Sequence, residues 1–131
     1  MKKIKGWFIV LLISLSLFGM TACSGEGSNS YDQITPQQAK TIMDTENDYI
    51  IIDARTDEEF AEGHIENAIL MPEYEIAGRA QKELPNKDAL ILVYCRSGRR
   101  SKIASEELVK LGYTNVKEFG GIIDWPYEIV K

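Results

Sequence analysis

The chain has 131 residues, 44% hydrophobic and 27% charged, a globular composition that excludes a disordered or fibrous protein. Its formal net charge is -5; three of the 15 basic residues, Lys2, Lys3 and Lys5, precede the first apolar run and all 20 acidic ones follow it, leaving -8 beyond that point. So acidic a domain repels phosphate backbones, which argues against nucleic acid as a partner.

The N-terminus passes from these lysines through the apolar stretch Trp7 to Phe18 to small residues ending at Cys23, the layout of an export signal. About 12 apolar residues fall short of the roughly 20 that a bilayer span needs. Met20-Thr21-Ala22-Cys23 resembles a bacterial lipobox, with Met20 where leucine is usual. In such a motif the cysteine becomes the acylated mature N-terminus. That resemblance implies a division into a lipoprotein signal peptide over 1–22, a Gly- and Ser-rich flexible tether over 23–30 and one folded domain over 31–131, with ordinary signal cleavage near Ala22 or an uncleaved anchor as the alternatives. The expected location is the extracytoplasmic face of the cell membrane, with Cys23 as the lipidated anchor. An acylated Cys23 cannot form a disulfide, which leaves Cys95 a single thiol in an oxidising compartment.

Thr35-Pro36-Gln37-Gln38 combines an N-cap, a first-turn proline and a capping-box glutamine, predicting a helix to about Asp44. Tyr49 to Ile52 is a short apolar run, read as a buried strand that delivers Asp53-Ala54-Arg55 at its end. Thr56 and Glu59 open a second short helix, stopped by Gly63. A strand at Ile69–Met71 and a helix from Tyr74 to Leu84 follow. Ala89 to Tyr94, the most apolar run after the leader, is the expected central strand. From Arg99 to Leu111, Ile103, Ala104, Leu108 and Leu111 are spaced for one helical face. A last strand at Val116–Phe119, then Gly120-Gly121 and a C-terminal helix containing Trp125, complete the domain. Alternating strands and helices predict an α/β fold with a mainly parallel sheet flanked by helices, whose ligands sit at the carboxyl ends of strands. Asp53 and Cys95 both lie at such ends.

Cys95-Arg96-Ser97-Gly98-Arg99-Arg100-Ser101 places a cysteine between the central strand and a helix N-terminus, with three arginines and a glycine that permits tight curvature. Positive side chains and the unpaired N–H groups of the helix start both favour thiolate, the nucleophilic form of cysteine. One cysteine and one histidine cannot furnish a closed zinc set, so no metal is expected. Neither a P-loop nor a dinucleotide-binding motif is present, and no cofactor is expected.

This segment resembles the active-site loop of single-domain rhodaneses. The resemblance extends to Ile52-Asp53-Ala54-Arg55, Glu59-Phe60, Gly63-His64-Ile65-Glu66-Asn67-Ala68 and Gly120-Gly121 with Trp125. Asn67 stands where glycine is usual, and asparagine also tolerates a left-handed backbone. The resemblance implies a three-layer rhodanese-like domain and a thiosulfate sulfurtransferase. Cys95 would attack the outer sulfur of an anionic donor such as thiosulfate, form a persulfide and pass sulfur to cyanide or a thiol, a protein thiol among them. The residues from Arg96 to Ser101 (Arg96, Ser97, Gly98, Arg99, Arg100 and Ser101) are the expected substrate-binding loop, whose amides cradle the sulfur. Arg100 and Arg96 are favoured over Arg99 for the anion. Asp53 and Arg55 are expected to support the loop by pairing, with Arg55 also reaching Glu59. His64 is read as a structural turn residue and Trp125 as core. Two other functions remain open. A sulfur-relay or interaction module at the membrane face would need the same persulfide. A phosphatase or arsenate reductase usually has arginine six positions after the cysteine, where this chain has Ser101.

Overall fold

The computed structural model describes residues 30–131, so the expected signal peptide, Cys23 and the expected tether up to residue 29 lie outside the described residues. Five strands alternate with helices: β1 Asp32–Gln33, α1 Pro36–Thr45, β2 Ile50–Asp53, α2 Asp57–Glu62, β3 Ile69–Leu70, α3 Ile76–Glu83, β4 Ile91–Cys95, α4 Arg99–Lys110 and β5 Val116–Gly121. Short 3-10 turns at Glu73–Glu75 and Ile122–Asp124 complete the order. The sheet runs β1-β5-β4-β2-β3 and every pairing is parallel, as βαβ connections require. The α/β fold anticipated from the alternating pattern is therefore the observed one, with β4 at its centre.

β4 is buried along its whole length, which explains its unbroken apolar sequence. On one face Ile52, Ile91, Val93 and Cys95 pack against Ile76 and Ala80 of α3 and Ala104 and Leu108 of α4. On the other, Ile51, Leu92, Tyr94 and Phe119 meet Ala39 of α1, with Trp125 half-buried beside them. Successive residues of β4 thus serve opposite layers, and this alternation places Cys95 on the α4 side.

The caps follow the sequence. Thr35 and Gln38 form the reciprocal box, and the Thr56 hydroxyl accepts from the Glu59 N–H at 3.3 Å. Asn67 has φ 66°, the left-handed conformation for which asparagine substitutes for glycine. Two expectations change and one strand is added. The helix expected to contain Trp125 is absent, because Pro126 forces Trp125 into an extended conformation (φ -78°, ψ 109°) and ends the chain's last turn at Asp124. Ile103 is 40% exposed, and the buried stripe of α4 is Ser101, Ala104, Ser105 and Leu108. β1 has no counterpart in the sequence reading, since its two exposed polar residues carry no apolar signal.

Candidate active site

Strand β4 ends at Cys95 and α4 begins at Arg99, so the connection spans only Arg96, Ser97 and Gly98. Gly98 makes the turn with φ 107°, a conformation open to glycine at little cost, and thereby aims its N–H at Cys95 Sγ over 3.0 Å. The Ser101 hydroxyl lies 3.4 Å from the same sulfur. Cys95 is a free thiol, 1% exposed, at the floor of the loop. Of the amides expected to surround the sulfur, that of Gly98 is hydrogen-bonded to it; those of Arg99, Arg100 and Ser101 belong to the first turn of α4, whose N–H groups lack partners within the helix.

The loop rests on β5. Cys95 pairs with Gly121 after a register shift, one extra β5 residue being accommodated near Gly120 at φ 87°. The Arg96 carbonyl accepts from Ile123 N–H at 3.2 Å, and its backbone lies directly over Gly121. Behind the loop, Glu118 of β5 is 3% exposed; its Oε1 accepts from Ser101 Oγ at 2.6 Å and from Gly120 N–H at 2.8 Å.

The three arginines differ in environment. Arg96 and Arg99 are exposed, as is Ser97, whereas Arg100 is half-buried and gives both terminal nitrogens to Glu59, at 2.6 and 2.9 Å. Hydrogen bonding to Glu59 raises the Arg100 pKa; burial opposes the shift, and the charges of Glu59, Cys95 and Glu73 reinforce it. The same hydrogen bonds hold the Glu59 carboxyl down to about 2 from its ordinary 4.5, against burial and with help from the Arg100 charge and Thr56. A lowered carboxyl pKa in the folded state means stability that is complete above pH 4.5 and lost as pH falls toward 2. Glu59→Gln is therefore expected to flatten the unfolding free energy across that window, as measured by denaturant titration at stepped pH; an unchanged slope would show that the pair contributes nothing.

Asp53 and Arg55 do pair, but not on the loop. Asp53 is fully buried; its carboxylate accepts from Arg55 Nε and Nη2 at 2.9 and 2.7 Å and from the Tyr94 hydroxyl. Arg55 Nη2 also donates to the Gly63 carbonyl at 2.7 Å, and Tyr94 accepts from Ile65 N–H at 3.0 Å. Burial and then the Asp53 charge push the Tyr94 hydroxyl pKa up. This network joins β2, β4 and the Gly63–Ile65 segment on the layer opposite Cys95. The contact expected between Arg55 and Glu59 is replaced by the Arg100 pair, which the 41-residue separation hid from local pattern reading. His64 donates from Nδ1 to the Phe60 carbonyl at 2.9 Å and stacks on the Phe60 ring, a structural arrangement. Trp125 packs on Phe119 and borders a groove of about 740 Å³ between α1 and the C-terminal segment, away from the Cys95 loop. Among the described residues no group of three His, Cys, Asp or Glu is placed to hold a metal ion.

Sequence reasoning missed Glu118. A signal existed: Val116 is a core residue two positions earlier, so strand periodicity puts Glu118 on the same inward face.

Comparison with known proteins gives a consistent result. The rhodanese-like domain family matches residues 35–126. Thiosulfate sulfurtransferase PspE of Escherichia coli is 38% identical over 80 residues, 61% of this chain and 77% of that protein. A sulfurtransferase of Allochromatium vinosum is 41% identical over 88 residues, 66% of this chain and 79% of its own length. Among solved structures, a rhodanese with anions from E. coli superposes with TM-score 0.60 at 36% identity, covering 63% of this chain and 98% of that one.

Proposed function

This chain belongs to the rhodanese-like domain family, and on that footing we propose that it moves sulfane sulfur from thiosulfate or a similar anion to a thiophilic acceptor through a Cys95 persulfide. The observation that carries this reading is the Gly98 N–H directed at Sγ over 3.0 Å beside the first turn of α4. Donors fixed in that position stabilise negative charge on sulfur without having to reorganise.

In the first half-reaction Cys95 thiolate attacks the outer sulfur of thiosulfate; the S–S bond of the donor breaks and sulfite departs with its electron pair. In the second, cyanide or a thiolate takes the outer sulfur and the Cys95 thiolate is restored. Because Cys95 is 1% exposed, the donor has to present a single protruding atom, and the outer sulfur of thiosulfate stands one bond away from its bulky sulfonate. Exposed Arg96 and Arg99 attract the anion, while Arg100, already neutralised by Glu59, chiefly shapes the loop. Asp53 and Arg55 support the scaffold from the opposite layer. Supporting relatives include proteins named thiosulfate sulfurtransferase and sulfurtransferase.

The direct test is to supply thiosulfate and cyanide and follow thiocyanate and sulfite, with an aryl phosphate and arsenate as controls. Thiocyanate formation with one sulfite per turnover is expected; turnover of the phosphate ester or arsenate alone would overturn the reading. The proposal also holds that acylated Cys23 anchors the domain to the outer face of the cell membrane, within reach of exported acceptor thiols. Cys23→Ala is then expected to move the protein from the membrane to the soluble fraction while thiocyanate turnover stays within about twofold, since the anchor takes no part in the chemistry. Unchanged membrane attachment would contradict acylation.

A further inference from the structure

Glu118 is a buried carboxylate that sulfur transfer as described does not use, and the structure gives it no cationic partner: among the described residues no lysine, arginine or histidine forms an ion pair with it. Burying a carboxylate without a counter-charge is costly, so its retention calls for a compensating role. Its Oε1 is 2.6 Å from Ser101 Oγ, and Ser101 Oγ is 3.4 Å from Cys95 Sγ. We propose that Glu118 is a positioning residue that receives the Cys95 thiol proton through Ser101.

The proposal rests on Cys95 being the reacting group, as argued above, and adds how its thiolate is made. In the resting chain the thiol donates to Ser101 and Ser101 donates to the Glu118 carboxylate. On activation the S–H bond breaks as an O–H bond forms at Ser101, and the original Ser101 proton passes to Glu118 Oε1. The trio keeps its single negative charge, which moves from carboxylate to sulfur. Glu118 then donates to Ser101, Ser101 donates to Sγ, and the Gly98 N–H completes the sulfur's partners. Losing the proton to water instead would leave two negative charges in one buried pocket, an arrangement that low local dielectric opposes.

Each element around Glu118 fits this role. Its register partners are Val93 of β4 and Gln33 of β1, and from α4 it meets Ser101, which leads to Cys95. The arginines nearest the loop are exposed or, for Arg100, committed to Glu59. Tyr31, before β1, is the remaining titratable neighbour, and its hydroxyl pKa is raised by burial and then by the charges of Glu106 and Glu118. Glu118 also braces the β5 bulge through the Gly120 N–H, a purely structural task that glutamine can perform equally well.

The test exploits that difference. The full chain and its Glu118→Gln variant are alkylated with iodoacetamide from pH 5 to pH 10, and modification of Cys95 is read by peptide mass spectrometry, a readout that needs no sulfur transfer. The proposal predicts that labelling of the parent levels off over the pH range in which the trio holds a single negative charge, because there the proton only moves within the trio, whereas labelling of Glu118→Gln climbs about tenfold per pH unit in one step until the thiol is ionised. Ser101→Ala, which removes the hydroxyl that donates to the thiolate and leaves Glu118 in place, lowers the level of that plateau. A parent profile that rises in one step as the Glu118→Gln profile does overturns the proposal, as does a plateau unchanged in Ser101→Ala. Failure to form a persulfide with thiosulfate would count against the sulfur-transfer reading and leave this profile independently readable.

Discussion

Cys95→Ser is expected to reduce thiosulfate-dependent thiocyanate formation by at least about a thousandfold, because a serine hydroxyl stays protonated at neutral pH and cannot store a transferable sulfur. The cost to the fold is small. Serine is the smaller side chain at a 1% exposed position, and its hydroxyl can still accept from the Gly98 N–H now placed on sulfur at 3.0 Å. Circular dichroism and denaturant midpoint should place the variant within about 1 kcal/mol of the parent. Retained turnover in a folded Cys95→Ser protein would remove this cysteine from the mechanism.

A second large effect is expected at a residue that supplies no reacting atom, Gly121, the strand partner of Cys95. A Cβ at Gly121 would sit 1.9 Å from the Arg96 carbonyl oxygen, 2.4 Å from its carbon and 2.6 Å from Ser97 Cα. All three are backbone atoms of the loop that follows Cys95, so no side-chain rotation relieves the clash. Its φ of -124° would suit alanine; the restriction is one of space alone. Gly121→Ala is therefore expected to lift the loop off β5, displace the Gly98 amide from Sγ and lower turnover by about a hundredfold or more, since a displacement of about 1 Å at a catalytic group is enough for that loss. Overpacking a rigid site also costs about 1–3 kcal/mol. Turnover and urea midpoint measured together check both effects, and a variant that keeps both would mean that the loop tolerates another path over β5.

Much of this arrangement could be read from residue order. The apolar run of β4 identifies the central strand, and the cysteine, glycine and helix start that follow it place a thiol beneath amides. Thr35 with Gln38 announces α1 because capping is a local interaction, complete within four residues. The limits of that reading have the same physical origin. Glu59 and Arg100 meet across 41 positions, and no local pattern tells an arginine which of several acids it will find. The resemblance puts Asp53 and Arg55 in support of the loop, yet strand alternation turns the Asp53 carboxylate to the Tyr94 side of the sheet. The helix expected around Trp125 fails on a rule that was available, since a residue preceding proline avoids the helical region. α4 shows how burial overrides hydrophobicity: the helix turns serines 101 and 105 inward and leaves Ile103 out, and one of those serines connects Cys95 to Glu118.

The most direct measurement is peptide mass spectrometry of the full-length protein after exposure to thiosulfate and removal of the donor. The account predicts one additional sulfur atom on the peptide carrying Cys95, and its disappearance with stoichiometric thiocyanate when cyanide is added. An unmodified Cys95, in a chain that nevertheless turns over thiosulfate, would contradict it.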